Sequence, residues 1–190
     1  MGLSPANATD ITGFALTADV TNVFSTSAQV TGRVFAADHA APTPSNLIVA
    51  VNDMGLAYDD AAARVPDVVG LGAAGDIGGL TIAPGTYHWA TAVSIPSNVT
   101  LSGSATDSWI FQIGLTLSMT AGATIVLKGG ALAKNVYWKV GTAVDLGAGA
   151  QIVGTVLTKT TITLGAGASA KGRLLAQSAV TLGTNTAVGP

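Results

Sequence analysis

Ten aspartates and two histidines are the only carboxylates and imidazoles in this sequence, which has no glutamate and no cysteine. Their spacing assembles no catalytic group. From Tyr87 onward only Asp107 and Asp145 remain, at different places in the repeating pattern described below. Asp59 and Asp60 are adjacent within a predicted helix, where neighbours do not share a face. Enzymes that cleave polysaccharides need clustered carboxylates, or carboxylates with Lys, Arg or calcium, along a groove. His39 and His88 stand alone, without a Ser or Cys triad context, and a structural role is expected for both. The glycine-rich stretch 75–79 (GDIGG) lacks the GxGxxG spacing and the following helix of a phosphate loop, so it reads as turn chemistry. Trp89, Trp109 and Trp138 are candidates for a sugar platform. Trp138 and the aligned Phe111 fall in an apolar strand, which favours packing. Without thiols there is no disulfide framework and no thiolate metal site. No catalytic residue, metal or cofactor is therefore expected. Two glycosylation sequons are present, at Asn7 and at Asn98.

The elements that would carry any site come from an internal repeat. Residues 150–167 (AQIVGTVLTKTTITLGAG) superpose without a gap on 168–185 (ASAKGRLLAQSAVTLGTN). The five-residue pattern TTITL at 160–164 recurs as SAVTL at 178–182, TAVDL at 142–146, LTLSM at 115–119 and TAVSI at 91–95. A repeat of this size with strand alternation is a solenoid rung, which must stack on neighbours to bury its apolar side. Ahead of the rungs, residues 1–43 read as short strands and a loop. Leu47, Val51, Met54, Tyr58 and Ala61 recur at four- and three-residue spacings, which predicts one long helix over 44–63. Thr43 and Pro44 have the form of its N-cap and first helical position. Residues 65–86 read as a Gly- and Pro-rich connection, and 87–190 as rungs. The whole chain, 1–190, is expected to be a single domain. Only 9% of residues are charged and mean hydropathy is +0.52, yet no apolar run reaches the length of a membrane span. Small residues account for the hydropathy. A net charge of −2 with scattered basic residues gives no nucleic-acid footprint. The opening residues lack a basic n-region followed by an apolar h-region, so the chain reads as a mature form.

Alternation assigns sides within each rung. Val93, Leu117, Val144, Ile162 and Val180 should point inward, as should Ile95, Met119, Leu146, Leu164 and Leu182. The column Thr91, Leu115, Thr142, Thr160 and Ser178 is also expected inside. Facing out are Ala92, Thr116, Ala143, Thr161 and Ala179, and beside them Ser94, Ser118, Asp145, Thr163 and Thr181. Nine of these ten outward residues are Ala, Ser or Thr, where an ordinary solvated face carries long charged chains. The segments just before these strands (IFQI at 110–113, YWKV at 137–140) are apolar at both parities, so that sheet should be covered on both sides, with the helix outside it. A third face, with Lys128 and Lys171 outward, reads as solvated.

Stacked rungs would present the outward columns as a flat grid of methyl and hydroxyl groups, about 4.8 Å apart between rungs and about 6.7 Å along a strand. Such a grid suits a target that is itself a lattice. Ice fits, because methyl groups let water order between them and hydroxyls anchor that layer. Small residues that merely permit flat stacking, or that contact another protein, are the alternative from composition.

The strings STSAQVTGRVFAADHAAPTPS (25–45), DIGGLTIAPGTYHWATAVSIPSNVTLSG (76–103), DSWIFQIG (107–114), GGALAKNVYWKVGTAVDLGAGA (129–150) and GRLLAQSAVTL (172–182) resemble the ice-binding-protein family of cold-adapted fungi, bacteria and algae. The resemblance runs through nearly the whole chain. It implies a mostly β fold, a right-handed β-helix of triangular section with an α-helix alongside. It also implies an exported, extracellular protein that inhibits ice growth through a flat face including Ala179, with no enzymatic activity. An ice surface is the expected partner, with neither nucleic acid nor membrane, and a monomer is expected. A carbohydrate-binding or polysaccharide-degrading β-helix, or a surface adhesion module, is the alternative. Two departures stand out: members of the family begin some tens of residues ahead of the motif matched here by residues 2–5 (GLSP), with an additional strand pair, and Asp145 places a hydrated carboxylate in the middle of the face.

Overall fold

A computed structural model describes residues 1–184 and 186–189. The chain forms two compact units, Met1–Ala57 and Tyr58–Pro190. In the first, Gly2–Leu3 pairs in parallel with Val30–Ala36, which continues antiparallel to Ser25–Ser27 and then Thr17–Ala18. Val34 and Ala36 are its buried apolar residues in the long strand. The predicted helix is present as Thr43–Ala63. Thr43 does not cap it in the expected way, because its hydroxyl donates to the Val23 carbonyl at 2.6 Å.

The second unit is a β-helix of three parallel sheets. The five-stranded face takes Val93–Ile95, Leu117–Met119, Val144–Leu146, Thr161–Leu164 and Ala179–Leu182, in chain order. A seven-stranded face runs from Val68–Val69 through Trp109–Ile113 and Val136–Val140 to Ala187–Gly189. The third face has Thr81–Ile82, Val99–Ser102 and Ile125–Lys128. The eighteen-residue repeat is exact in space, since Thr161 lies opposite Ala179 and Gln151 opposite Ser169. Between the five- and three-stranded faces, Gly122, Gly149 and Gly167 stack with φ near +70°. That left-handed corner is open to glycine at no steric cost. Each donates its N–H to the next rung, to the carbonyls of Ala148, Ala166 and Thr184.

Inside, β-branched and aromatic side chains form ladders. Tyr87, Phe111 and Trp138 are in register and stacked, with ring centroids 5.6 Å and 4.1 Å apart. Trp89, Trp109 and Trp138 are buried, and their indole N–H groups donate to the carbonyls of Leu71, Ile82 and Val153. They are packing residues, as the aligned strand positions suggest. On the outer side of the seven-stranded face Ile110, Gln112 and Leu157 are also buried. Gln112 Nε2 donates to the carbonyls of Ala61 and Arg64, filling acceptors that the end of the helix leaves open. Lys139 and Lys159 lie over the buried Tyr58 ring at 4.9 Å and 5.1 Å. Burial, reinforced by Lys159, lowers the Lys139 pKa, and burial raises that of the Tyr58 phenol, with Asp59 adding to it.

Three sequence expectations change. Met54, Tyr58 and Ala61 are buried, but Val51 is 48% exposed, so the apolar stripe of the helix does not work along its full length. The stretch 65–86 is not mere connection: Val68–Val69 pairs with Tyr87 and His88, and Thr81–Ile82 with Thr100 and Leu101. The column of Thr91, Leu115, Thr142, Thr160 and Ser178 does not point inward. None of the five is buried, and Leu115 is 49% exposed. Those residues lie in the bend before each strand, where the chain turns a corner and two-residue alternation is lost. Inward positions at that corner are held by Trp89, Ile113, Val140 and Thr158, which share one register and are buried.

Candidate functional site

The outward residues of the five-stranded face are brought together as the repeat implies. Ser94 lies opposite Ser118, Ser118 opposite Asp145, Asp145 opposite Thr163, and Thr163 opposite Thr181. The neighbouring column continues the same ladder. Val93 N–H donates to the Thr116 carbonyl and Leu117 N–H to that of Ala143, while Thr161 pairs with Ala179. All ten side chains, of Ala92, Ser94, Thr116, Ser118, Ala143, Asp145, Thr161, Thr163, Ala179 and Thr181, face solvent to some degree, and none is buried.

Support beneath the face is close-packed. Val93, Leu117, Val144 and Ile162 are each 0% exposed, and Ile95, Met119, Leu146 and Leu164 at most 3%. A packed row under each strand holds the backbone at one height, so the short side chains above it share a plane. The last rung differs, with Val180 43% exposed. Beside the grid, the Thr116 and Thr142 hydroxyls sit 3.0 Å apart. The bend column expected inside therefore lies beside the face, with hydroxyls at Thr91, Thr142, Thr160 and Ser178 and an exposed Leu115 among them.

Asp107 accepts from the Ser104 N–H at 2.7 Å, and Asp67 from the Thr86 N–H at 2.7 Å, both as backbone clamps. His39 is not isolated, since its Nε2 lies 3.1 Å from the Ser25 hydroxyl oxygen, a pairing the sequence alone did not reveal. Yet the Ala36 N–H donates to His39 Nδ1 at 3.1 Å. A backbone N–H can only donate, so the neutral ring carries its proton on Nε2 and gives it to Ser25. That is the wrong tautomer to activate a serine nucleophile. Among the described residues, no group of three or more His, Asp, Glu or Cys side chains could hold a metal ion.

Sequence reasoning missed one contributor to the face. Asp76, within the glycine-rich stretch, forms a parallel bridge with Ser94. Its exposed carboxylate thus stands in line with the outer column, below the first recognised rung. A single bridging residue among glycines carries no alternation, which left the repeat as the only signal, and the repeat is too degenerate there.

Among the described residues, no helix is long and apolar enough to cross a membrane. The family model described as ice-binding-like matches residues 1–188. Ice-binding protein K1-A of Typhula ishikariensis is 49% identical over 161 residues, covering 84% of this chain and 66% of that protein. An ice-binding protein of the bacterium Flavobacterium frigoris is 43% identical over 171 residues, covering 83% and 62%. The chain thus spans about two thirds or less of the length of these relatives. Among solved structures, the ice-binding protein LeIBP of an Arctic yeast, described for its antifreeze activity, superposes with a TM-score of 0.96 at 42% identity, over 100% of this chain and 81% of that one. A packed parallel β-helix, a registered face of short side chains and a match along almost the full sequence lead to one assignment: the chain belongs to the ice-binding-like family.

Proposed function

We propose that this protein adsorbs to ice through the five-stranded face and thereby inhibits ice growth and recrystallisation. The observation that carries this reading is the registered pair of outward columns, in which nine of ten side chains are Ala, Ser or Thr, over a support that is packed beneath the first four strands. Methyl groups leave water free to order between them, and hydroxyls spaced along each strand hold that layer in place. Adsorbed molecules pin a growing ice front, which must curve between them and stops. The names of the relatives point the same way. The contacts are Ala92, Ser94, Thr116, Ser118, Ala143, Thr161, Thr163, Ala179 and Thr181, with Asp145 a charged interruption among them. The protein works without catalysis or cofactor, as an extracellular monomer and as one functional domain.

Growth of a single ice crystal in dilute protein tests the reading. The expected result is faceting and arrested growth that disappear in Thr161→Tyr and in Ala179→Tyr, while circular dichroism is unchanged. A crystal that grows round and unimpeded in the wild-type protein, or equal shaping by both variants, removes this function or this face.

A further inference from the structure

The grid has a boundary that the repeats do not show. Below Val93–Ile95 the chain makes one more pass beneath the five-stranded face. Asp76 bridges Ser94 in parallel, and Ile77 N–H donates to the Ser94 carbonyl at 3.0 Å. Ile77 is 0% exposed and joins the core, as an inward residue of a rung should. Gly75 packs so tightly under the next rung that a Cβ there would lie 2.3 Å from the Ala92 carbonyl oxygen. This pass is therefore docked against the face and not looped away from it. The Gly78 N–H donates to Asp76 Oδ1 at 2.8 Å, which fixes the carboxylate in place.

We propose that Asp76 is a sixth member of the outer column, which then runs Asp76, Ser94, Ser118, Asp145, Thr163, Thr181, and that its carboxylate ends the ice-contacting grid on this side. The inference rests on the ice-binding reading of the face. Asp76 is the outermost position of the column, so its carboxylate, which keeps its own hydration shell, ends the grid where the mid-column Asp145 only interrupts it. Asp76 and Asp145 also lie three rungs apart, about 14 Å at roughly 4.8 Å per rung. They bracket the two serines, so the column holds two uncharged hydroxyl pairs, Ser94 with Ser118 and Thr163 with Thr181. The two charges thus set where on the face the lattice match begins.

Two substitutions test this. Asp76→Ser keeps an oxygen able to accept from the Gly78 N–H, as serine does in comparable turns. It should raise thermal hysteresis by roughly one fifth or more, in proportion to a sixth rung of about 4.8 Å added to five. Asp76→Arg projects a long charged chain across Ser94 and should lower it, with the melting temperature unchanged in both. Wild-type activity in the two variants, with Thr161→Tyr still inactive, overturns the role of Asp76 and leaves the function standing. A wild-type protein that does not shape ice overturns both. Hydrogen exchange gives a readout free of ice: the Ile77 amide should be protected to the same degree as the Leu117 amide. Rapid exchange at Ile77 in the folded protein shows that the sixth pass is not docked and overturns the inference.

Discussion

The five-stranded and seven-stranded faces are built from the same rungs on the same core, yet their outer sides have little in common. Outward on the seven-stranded face stand Ile110, Gln112, Tyr137, Lys139, Leu157 and Arg173; outward on the other stand Ala, Ser, Thr and one Asp. Both stack in register. The difference teaches that stacking does not require short side chains, because the seven-stranded face stacks equally well with aromatic and charged ones. Flat packing alone therefore does not account for the composition of the five-stranded face. What distinguishes it is its surroundings: one outer surface holds the end of the helix through Gln112, and the other is left to solvent.

The comparison breaks if bulk is tolerated on the bare face. Thr163→Tyr should abolish most ice shaping, the largest functional effect expected, while shifting stability by no more than about 0.5 kcal/mol because the position is exposed. Crystal growth and thermal denaturation measure the two quantities. Behind the covered face the pattern inverts. Trp138→Ala removes a buried ring stacked on Phe111 and should cost about 3–5 kcal/mol by chemical denaturation. Gln112→Leu strands the carbonyls of Ala61 and Arg64 and should cost about 1–3 kcal/mol. Loss should appear first as faster hydrogen exchange in the last turn of the helix. Asp145→Thr sharpens the comparison by making the bare face uniform. It should raise thermal hysteresis or leave it equal; a large fall with the fold intact would show the carboxylate to be an anchor for ordered water. The smallest effect belongs to Val51→Asp, at most about 0.5 kcal/mol, since the side chain is already half exposed. A melting temperature lowered by several degrees would restore the full helical stripe.

Much of the architecture was legible because one rung predicts the next. The match of 160–164 to 178–182 foretold the pairing of Thr161 with Ala179, and the alignment of Phe111 with Trp138 foretold a stack. Legibility ended where an element depends on something other than its own period. Thr91, Leu115 and Thr142 obey the alternation of the strand that follows, and only the corner turns them outward. Val51 obeys the helical stripe, but its exposure depends on what lies against that turn, and a helix pattern does not encode its neighbours. Asp76 has neither period nor repeat to announce it, and one backbone bridge carries its place. The Ser25 and His39 pair joins residues fourteen apart that no motif connects.

The exact eighteen-residue register has a consequence for how such a face changes size. Each rung touches mainly the rung above and the rung below, so its energetics are close to nearest-neighbour. Duplicating a whole rung, such as 150–167, would lengthen the grid by about 4.8 Å and return the chain to the same corner with every column preserved. A duplication one residue longer would carry each inward side chain of the following rungs to the outside. Affinity for a crystal surface can thus be tuned in whole steps by copying units, and point substitution need only adjust the columns between them.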